Sequence, residues 1–186
     1  PFDYADLDNI ENNGQHEGLI LHEMGHGVGI GTSWNNAGLL QNPSLPDNQG
    51  ADTHFSGPAA LVAFDHIGGG GFGASKVPVE NQAGEGSGDA HWRESVMDTE
   101  LMTPFLDLQN PLSEVTVASL KDLGYGIDPN SFDTYFLPVA PPAQAQTGVP
   151  TSGPSAIYLG DDIWPIERGY VVEPSGKLRK IREPLR

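Results

Sequence analysis

Residues His22-Glu23-Met24-Gly25-His26 form an HExxH pattern, and the interpretation of the rest of the chain depends on this stretch. In a helix, residues i and i+4 lie on one face, so His22 and His26 can point at the same atom. Two neutral imidazoles from one helical turn are half of a typical zinc site. Glu23 stands beside the first histidine and can take a proton from a water molecule that the metal activates. The stretch therefore predicts a helix that carries a zinc centre on one face.

The residues around this stretch indicate where the helix begins and ends. We expect it to run from about Gln15 to Gly27, after the turn-forming sequence at positions 12–14. Gly29 lies three residues after His26 and can adopt a positive φ, which gives the chain a sharp exit. We expect the chain to turn back toward the metal at that point.

Composition limits the classes of function. The 186 residues are enough for one domain with a core plus extensions. The formal net charge of -16 makes nucleic acids and anionic membrane surfaces poor partners. The absence of cysteine excludes disulfides, cysteine ligands and a cysteine nucleophile. No apolar run approaches the length of a transmembrane helix, so we expect no membrane span. The sequence does not indicate an oligomeric state.

Charge and proline content divide the chain into three regions. Residues 1–137 hold 20 acidic and 3 basic residues, and we assign the zinc-binding region to them. Residues 138–155 have the composition of a Pro-rich linker. Residues 156–186 form a short tail, for which we expect either a small β element or disorder.

Two further helices are predicted within the first region. One runs from Ser56 to Ile67, with Ser56 as its N-cap, and the other runs from Ser113 to Leu123, with Ser113 as its N-cap. Catalytic zinc usually has three protein ligands, so a third ligand is needed beyond the two histidines of the first helix.

The residues alone leave more than one candidate for the third ligand. A compact HExxHxxGxxH motif would place a histidine at position 32, where this chain has Thr32. A glutamate on the next helix is also disfavoured, because no Glu occurs between positions 23 and 80. Among the remaining candidates, His91 is only modestly favoured over His54 and Asp52, while His66 is interpreted as a residue near a helix end. Carboxylates such as Glu94 or Asp89 are candidates for orienting a ligand histidine, although a solvated surface role is favoured for each.

The order of three separated motifs adds a resemblance. HEMGHxxG, then a long insertion, then HWRES and ELMTP resemble the leishmanolysin-like family of metzincin zinc peptidases, in a bacterial-type form without the cysteine framework. The resemblance implies that His91 is the displaced third histidine. It also implies that Met102, with Met97 as the local competitor, forms the methionine turn beneath the metal. One catalytic Zn²⁺, Glu23 as general base and Gly29 as the turn residue complete the implied site.

The resemblance also implies a fold and a setting. We expect an α+β fold, the mainly helical and loop-rich C-terminal part of a metzincin-like domain. Only 21 residues precede His22, so we expect the sheet-bearing N-terminal subdomain to be largely absent from this chain. The implied activity is hydrolysis of peptide bonds in proteins or peptides, and the implied location is secreted or at the cell surface. The alternative is a non-catalytic, zinc-containing surface or adhesion module.

Overall fold

The computed structural model describes residues 10–72, 75–82, 86–138 and 156–159, together with the backbone of two strands at 170–172 and 178–180. The helices are α1 His16–Gly27, α2 Pro58–His66, α3 Glu94–Met97 and α4 Glu114–Asp122, with a 3-10 turn at Gly69–Phe72. The strands are β1 Leu40–Gln41, β2 His54–Phe55, β3 Val77–Pro78, β4 Phe105–Leu106, β5 Ile157–Tyr158, β6 Tyr170–Val172 and β7 Leu178–Lys180.

The architecture is mixed α/β and combines these helices with small antiparallel sheets. One sheet has the strand order β1-β2-β3, and two further pairs are β4-β5 and β6-β7. In the first sheet Phe55 pairs with Leu40 on one side and with Val77 on the other. Each of its strands is two residues long; Asn42-Pro43 follows β1, and Gly57-Pro58 ends the extended segment after β2. No helix in the described part of the chain is long and apolar enough to span a bilayer.

The N-terminus of α2 corrects a prediction from the sequence. Ser56 is not its N-cap. Gly57 occupies that position, so the N-cap residue itself provides no side-chain hydrogen bond. Instead, the carboxylate of Asp122 at the end of α4 accepts hydrogen bonds from the backbone N–H groups of Ala59 and Ala60, both at 2.9 Å. A negative charge stabilises this helix end. The cap therefore joins α2 to α4, which sequence-local reasoning does not reveal.

The main core is built around three aromatic rings. Trp34, Phe55 and Trp92 are fully buried, with ring centroids 4.5–5.6 Å apart. Trp92 also forms an isolated β-bridge with Val79, directly after β3. Large aromatic side chains contribute most to such a core. Because Trp92 follows His91 directly, burial of its ring fixes the position of that histidine.

A second, smaller apolar cluster supports the start of α1. Ile10, Leu19, Leu106 and Leu159 are buried together. Leu106 belongs to β4 and Leu159 follows β5, so the beginning of the tail packs against the first region through the β4-β5 pair. Of the predicted Pro-rich linker, residues 139–155 lie outside the described residues. The tail contains short strands, β5 to β7, within its described part.

Candidate metal centre

Three histidine side chains converge at one point beside α1. The Nε2 atoms of His22 and His26 are 3.0 Å apart, and they lie 3.2 and 3.1 Å, respectively, from Nε2 of His91. All three residues are buried, and within the described residues this is the one group whose metal-ligating atoms approach one another closely enough to hold an ion. The residue pair predicted from HExxH and the histidine implied by the resemblance therefore meet in the fold.

The other nitrogen of each ring is held by a backbone carbonyl. Nδ1 of His22 donates to Leu101 O at 2.7 Å, and Nδ1 of His26 donates to Ile30 O at 3.0 Å. Nδ1 of His91 donates to Ser87 O at 3.0 Å. A neutral imidazole that donates through Nδ1 carries its lone pair on Nε2. The backbone therefore selects the tautomer in which all three lone pairs point at the same point.

This arrangement fits a metal ion. The three Nε2 atoms lie 3.0–3.2 Å from one another, and each carries a lone pair and no proton. They therefore cannot form hydrogen bonds with one another. In a tetrahedral site with metal–nitrogen bonds of ~2.0–2.1 Å, the ligating nitrogens are ~3.3–3.4 Å apart, so shifts of a few tenths of an ångström would accommodate an ion. A buried group of three neutral imidazoles with oriented Nδ1–H groups is the donor set of a transition-metal site.

The electrostatics keep these side chains in the form that binds metal. Burial, together with the charge of His26, lowers the pKa of His22 to about 4. Burial also lowers the pKa of His26 and, together with the charges of the other two histidines, lowers that of His91 well below its ordinary value. The carbonyl partners oppose these shifts without reversing them. All three rings are therefore neutral near pH 7, as metal ligation requires.

The exit of α1 brings His91 to the helix. Gly29 has a φ of 108°, the positive value predicted for a sharp turn, and Gly31 has a φ of 73°. A Cβ atom on Gly31 would run into the carbonyl oxygen of Ala90, so only glycine allows this backbone approach. The loop after α1 and the loop that carries His91 therefore touch through their backbones. The sequence places Gly31 in a glycine-rich stretch but gives no signal for this contact.

Met102 lies against α1 between the two histidines of the HExxH stretch. Its side chain is fully buried, and a Cβ on Gly25 would come within 2.6 Å of its sulfur. The carbonyl of the preceding residue, Leu101, is the one that orients His22. Met97 is also buried, but it lies at the end of α3, where its carbonyl accepts a hydrogen bond from Tyr135. Of the two methionines, Met102 is therefore the one that packs against α1 next to the carbonyl that holds His22.

The other sequence candidates lie elsewhere. Asp52 is exposed and pairs with Lys76. His54 Nδ1 donates to the backbone of Asp52 at 2.7 Å, and His66 contacts Glu114 at 3.0 Å near the end of α2. None of these residues belongs to the histidine group.

The carboxylates proposed as orienting groups do not orient the histidines. The Asp89 carboxylate accepts hydrogen bonds from Ser44 and Leu45, and Glu94 is 2% exposed, so the expected solvated role of Glu94 is wrong. Backbone carbonyls take that role for all three rings. A carbonyl in this position has no sequence signature, because every residue carries one.

Glu23, the predicted base, follows His22 on α1 and is partly exposed.

Comparison of the chain with models of protein families, with curated proteins and with solved structures found no match.

Proposed function

We propose that the chain is a zinc-dependent metalloendopeptidase, a bacterial-type relative of the leishmanolysin-like metzincins. The observation that carries the proposal is the convergence of three Nε2 atoms, two from HExxH and one from His91, at 3.0–3.2 Å. The methionine beneath α1 and the motif order HEMGH, HWRES, ELMTP support it. Protein or peptide substrates, and secretion or display at the cell surface, belong to the same proposal.

Zinc is the proposed ion because three imidazoles leave room for a non-protein ligand, the usual composition of a catalytic zinc site. A zinc ion held by His22, His26 and His91 would lower the pKa of a water molecule toward about 7 and polarise a scissile carbonyl. The chain itself supplies neutral ligands, fixed tautomers and a packed floor at Met102.

Glu23 is the proposed general base. It directly follows a histidine of the candidate centre on the same helix, and its side chain is half-buried. In this role its carboxylate accepts the proton of the attacking water and then delivers it to the leaving amine. A structural zinc site needs no such group beside its ligand. The adjacent carboxylate therefore favours hydrolysis over the alternative, a non-catalytic surface or adhesion module.

The test is cleavage of casein by the zinc-loaded protein, with the wild type beside Glu23→Gln. We expect cleavage by the wild type and a rate at least about a hundredfold lower in the variant, the usual contribution of a general base. Zinc affinity should stay within about threefold, because Glu23 is not a ligand. Glu17→Gln is the matched control, since it removes an exposed carboxylate from the same helix.

The outcomes separate the two functions. Zinc binding without cleavage by the wild type, with the fold intact, would favour the binding module. Equal cleavage by the wild type and Glu23→Gln would contradict the assigned base.

A further inference from the structure

Glu100 is a buried carboxylate to which sequence reasoning gives no role of its own. It is fully buried, and four hydrogen bonds reach its two oxygens. The Ser113 N–H, the Ser113 hydroxyl and the Thr116 hydroxyl donate to Oε1 at 3.1, 2.6 and 2.5 Å. The Met102 N–H donates to Oε2 at 2.6 Å. Burial raises the pKa of Glu100, and these four hydrogen bonds oppose that shift because they favour the carboxylate as an acceptor.

The bond from Met102 N–H links this carboxylate to the metal centre. The N–H of Met102 and the carbonyl of Leu101 belong to one peptide unit, which is planar and moves as a rigid group. Its N–H donates to Glu100, and its carbonyl accepts from Nδ1 of His22 at 2.7 Å. The orientation of the His22 ring therefore depends on a peptide plane that Glu100 holds.

The same turn is also tied to the loop that carries His91. The Trp92 N–H donates to Met102 O at 2.9 Å, and the Trp92 ring N–H donates to the Thr116 hydroxyl at 2.7 Å. Thr116 in turn donates to Glu100. His26 differs, because its Nδ1 donates to Ile30 O, four residues further along the chain and unconnected to the turn.

We propose that Glu100 is a positioning residue that acts on His22 through the Leu101–Met102 peptide unit, in a relay from carboxylate to peptide to imidazole. The hydrogen bond from the Met102 N–H to Glu100 fixes the peptide plane and polarises the peptide, so that Leu101 O accepts more strongly. A stronger acceptor at Nδ1 raises the basicity of Nε2 and strengthens the bond to a metal. The relay rests on the proposed metal-binding function.

The test compares Glu100→Gln with Glu80→Gln, using Co²⁺ as the probe. Glutamine at position 100 would replace one acceptor oxygen by an N–H₂ group. That group would face either the Met102 N–H or the donors from Ser113 and Thr116, and those hydrogen bonds would be lost. We expect Co²⁺ affinity to fall about 10- to 100-fold, the usual effect of losing a group that orients a ligand. The Nδ1–H proton resonance of His22 in the metal-free protein should shift, whereas that of His26 should not.

Glu80→Gln is the matched control. Glu80 is also buried, and its carboxylate accepts from three backbone N–H groups, those of Asn81, Gln82 and Glu94. None of their peptide units carries a carbonyl that holds a ligand histidine. We therefore expect Glu80→Gln to leave Co²⁺ affinity within about threefold and the His22 resonance in place.

A second pair of variants serves if Glu100→Gln does not fold. Thr116→Val removes one donor to Glu100 and should weaken Co²⁺ binding, and Thr116→Ser retains the hydroxyl and should restore it. Unchanged affinity and an unchanged His22 resonance in Glu100→Gln would overturn the relay alone. Equal losses in Glu100→Gln and Glu80→Gln would also overturn it, since they would indicate a general loss of structure. Failure of the wild type to bind Co²⁺ would overturn the proposed function, and the relay with it.

Discussion

The histidine centre and the acidic side chains beside α3 are both groups of buried or half-buried ionisable residues, but they are built differently. We call Glu94, Asp98 and Asp107 the carboxylate cluster. In the histidine centre every ring has one nitrogen bound to a carbonyl and the other directed at a shared point. In the carboxylate cluster burial raises all three pKa values, that of Glu94 to about 8, and nearby acidic groups add to the shifts of Glu94 and Asp107.

The difference shows that crowding alone does not make a metal site. Among the described residues, the carboxylate cluster does not bring its oxygens within the distance that one ion requires, whereas the histidines do. For the three Nε2 lone pairs to converge, the Nδ1–H of each ring needs a hydrogen-bond acceptor, and backbone carbonyls provide it. In the carboxylate cluster the high pKa of Glu94 comes mainly from burial, and the neighbouring carboxylates raise it further.

Removal of a ligand should give the largest contrast between the two groups. We expect His91→Ala to weaken Zn²⁺ binding by at least about a thousandfold, because two imidazoles from one helix make an incomplete site. Asp107→Asn should leave Zn²⁺ affinity within about threefold. Competition with a coloured chelator measures both. Wild-type Zn²⁺ affinity in His91→Ala would contradict the assignment of the metal site to the histidine centre.

Acid should release the metal, because the three histidines become protonated as the pH falls. The pKa values of the three histidines are lowered, that of His22 to about 4, so protons compete poorly with metal near pH 7. Because folded-state pKa values below the ordinary 6.5 mean that the unfolded chain binds more protons, metal-free stability should fall as the pH drops from about 6.5 toward 4. We expect Zn²⁺ to remain bound at pH 6 and to be lost near pH 4, measured by dialysis and metal analysis. Full occupancy at pH 3.5 would contradict this.

The carboxylate cluster should have the opposite pH dependence. The pKa of Glu94 is raised from 4.5 to about 8, so between these values the folded state binds more protons than the unfolded state. Its contribution to stability is therefore lost as the pH rises through this window. Glu94→Gln should stabilise the metal-free protein at pH 8.5 by on the order of 3 kcal/mol, with little change at pH 4. Urea denaturation measures this, with the exposed Glu17→Gln as control, and an equal effect at both pH values would contradict it.

The smallest expected effect concerns the packing under α1. Gly25→Ala would bring a Cβ within 2.6 Å of the Met102 sulfur and should destabilise the protein by about 1 kcal/mol, after the gain in helix propensity is subtracted. Gly27→Ala is the matched control, because nothing lies within 4 Å of its Cβ. It should be neutral or stabilising by up to about 1 kcal/mol. Thermal unfolding distinguishes the two, and equal effects would show that the packing of Met102 does not depend on Gly25.

Features that depend on neighbours in the sequence were predicted well. The helix expected from about Gln15 to Gly27 is α1, and Ser113 accepts a hydrogen bond from the Thr116 N–H as the predicted cap. The positive φ of Gly29 also follows from a local rule. In each case the relevant geometry spans a few residues, so residue type and spacing are sufficient.

Features that depend on distant neighbours were not predicted from the residues. The cap of α2 comes from Asp122, 62 and 63 residues away from the N–H groups it binds, and not from adjacent Ser56. The groups that orient the histidines are carbonyls, which no side-chain pattern reveals. Glu94 looked like a solvated residue and is buried.

The sequence by itself determined two histidines of the candidate metal centre and the residue beside them, because i and i+4 positions share a helical face wherever the helix packs. Only the tertiary structure decided the third. Residues alone left His91, His54 and Asp52 open, since His91 lies 65 positions from His26. Burial of Trp92, the close backbone approach at Gly31 and the turn at Met102 bring His91 to α1. These contacts join segments far apart in the chain, and their energies depend on packing that sequence spacing does not encode.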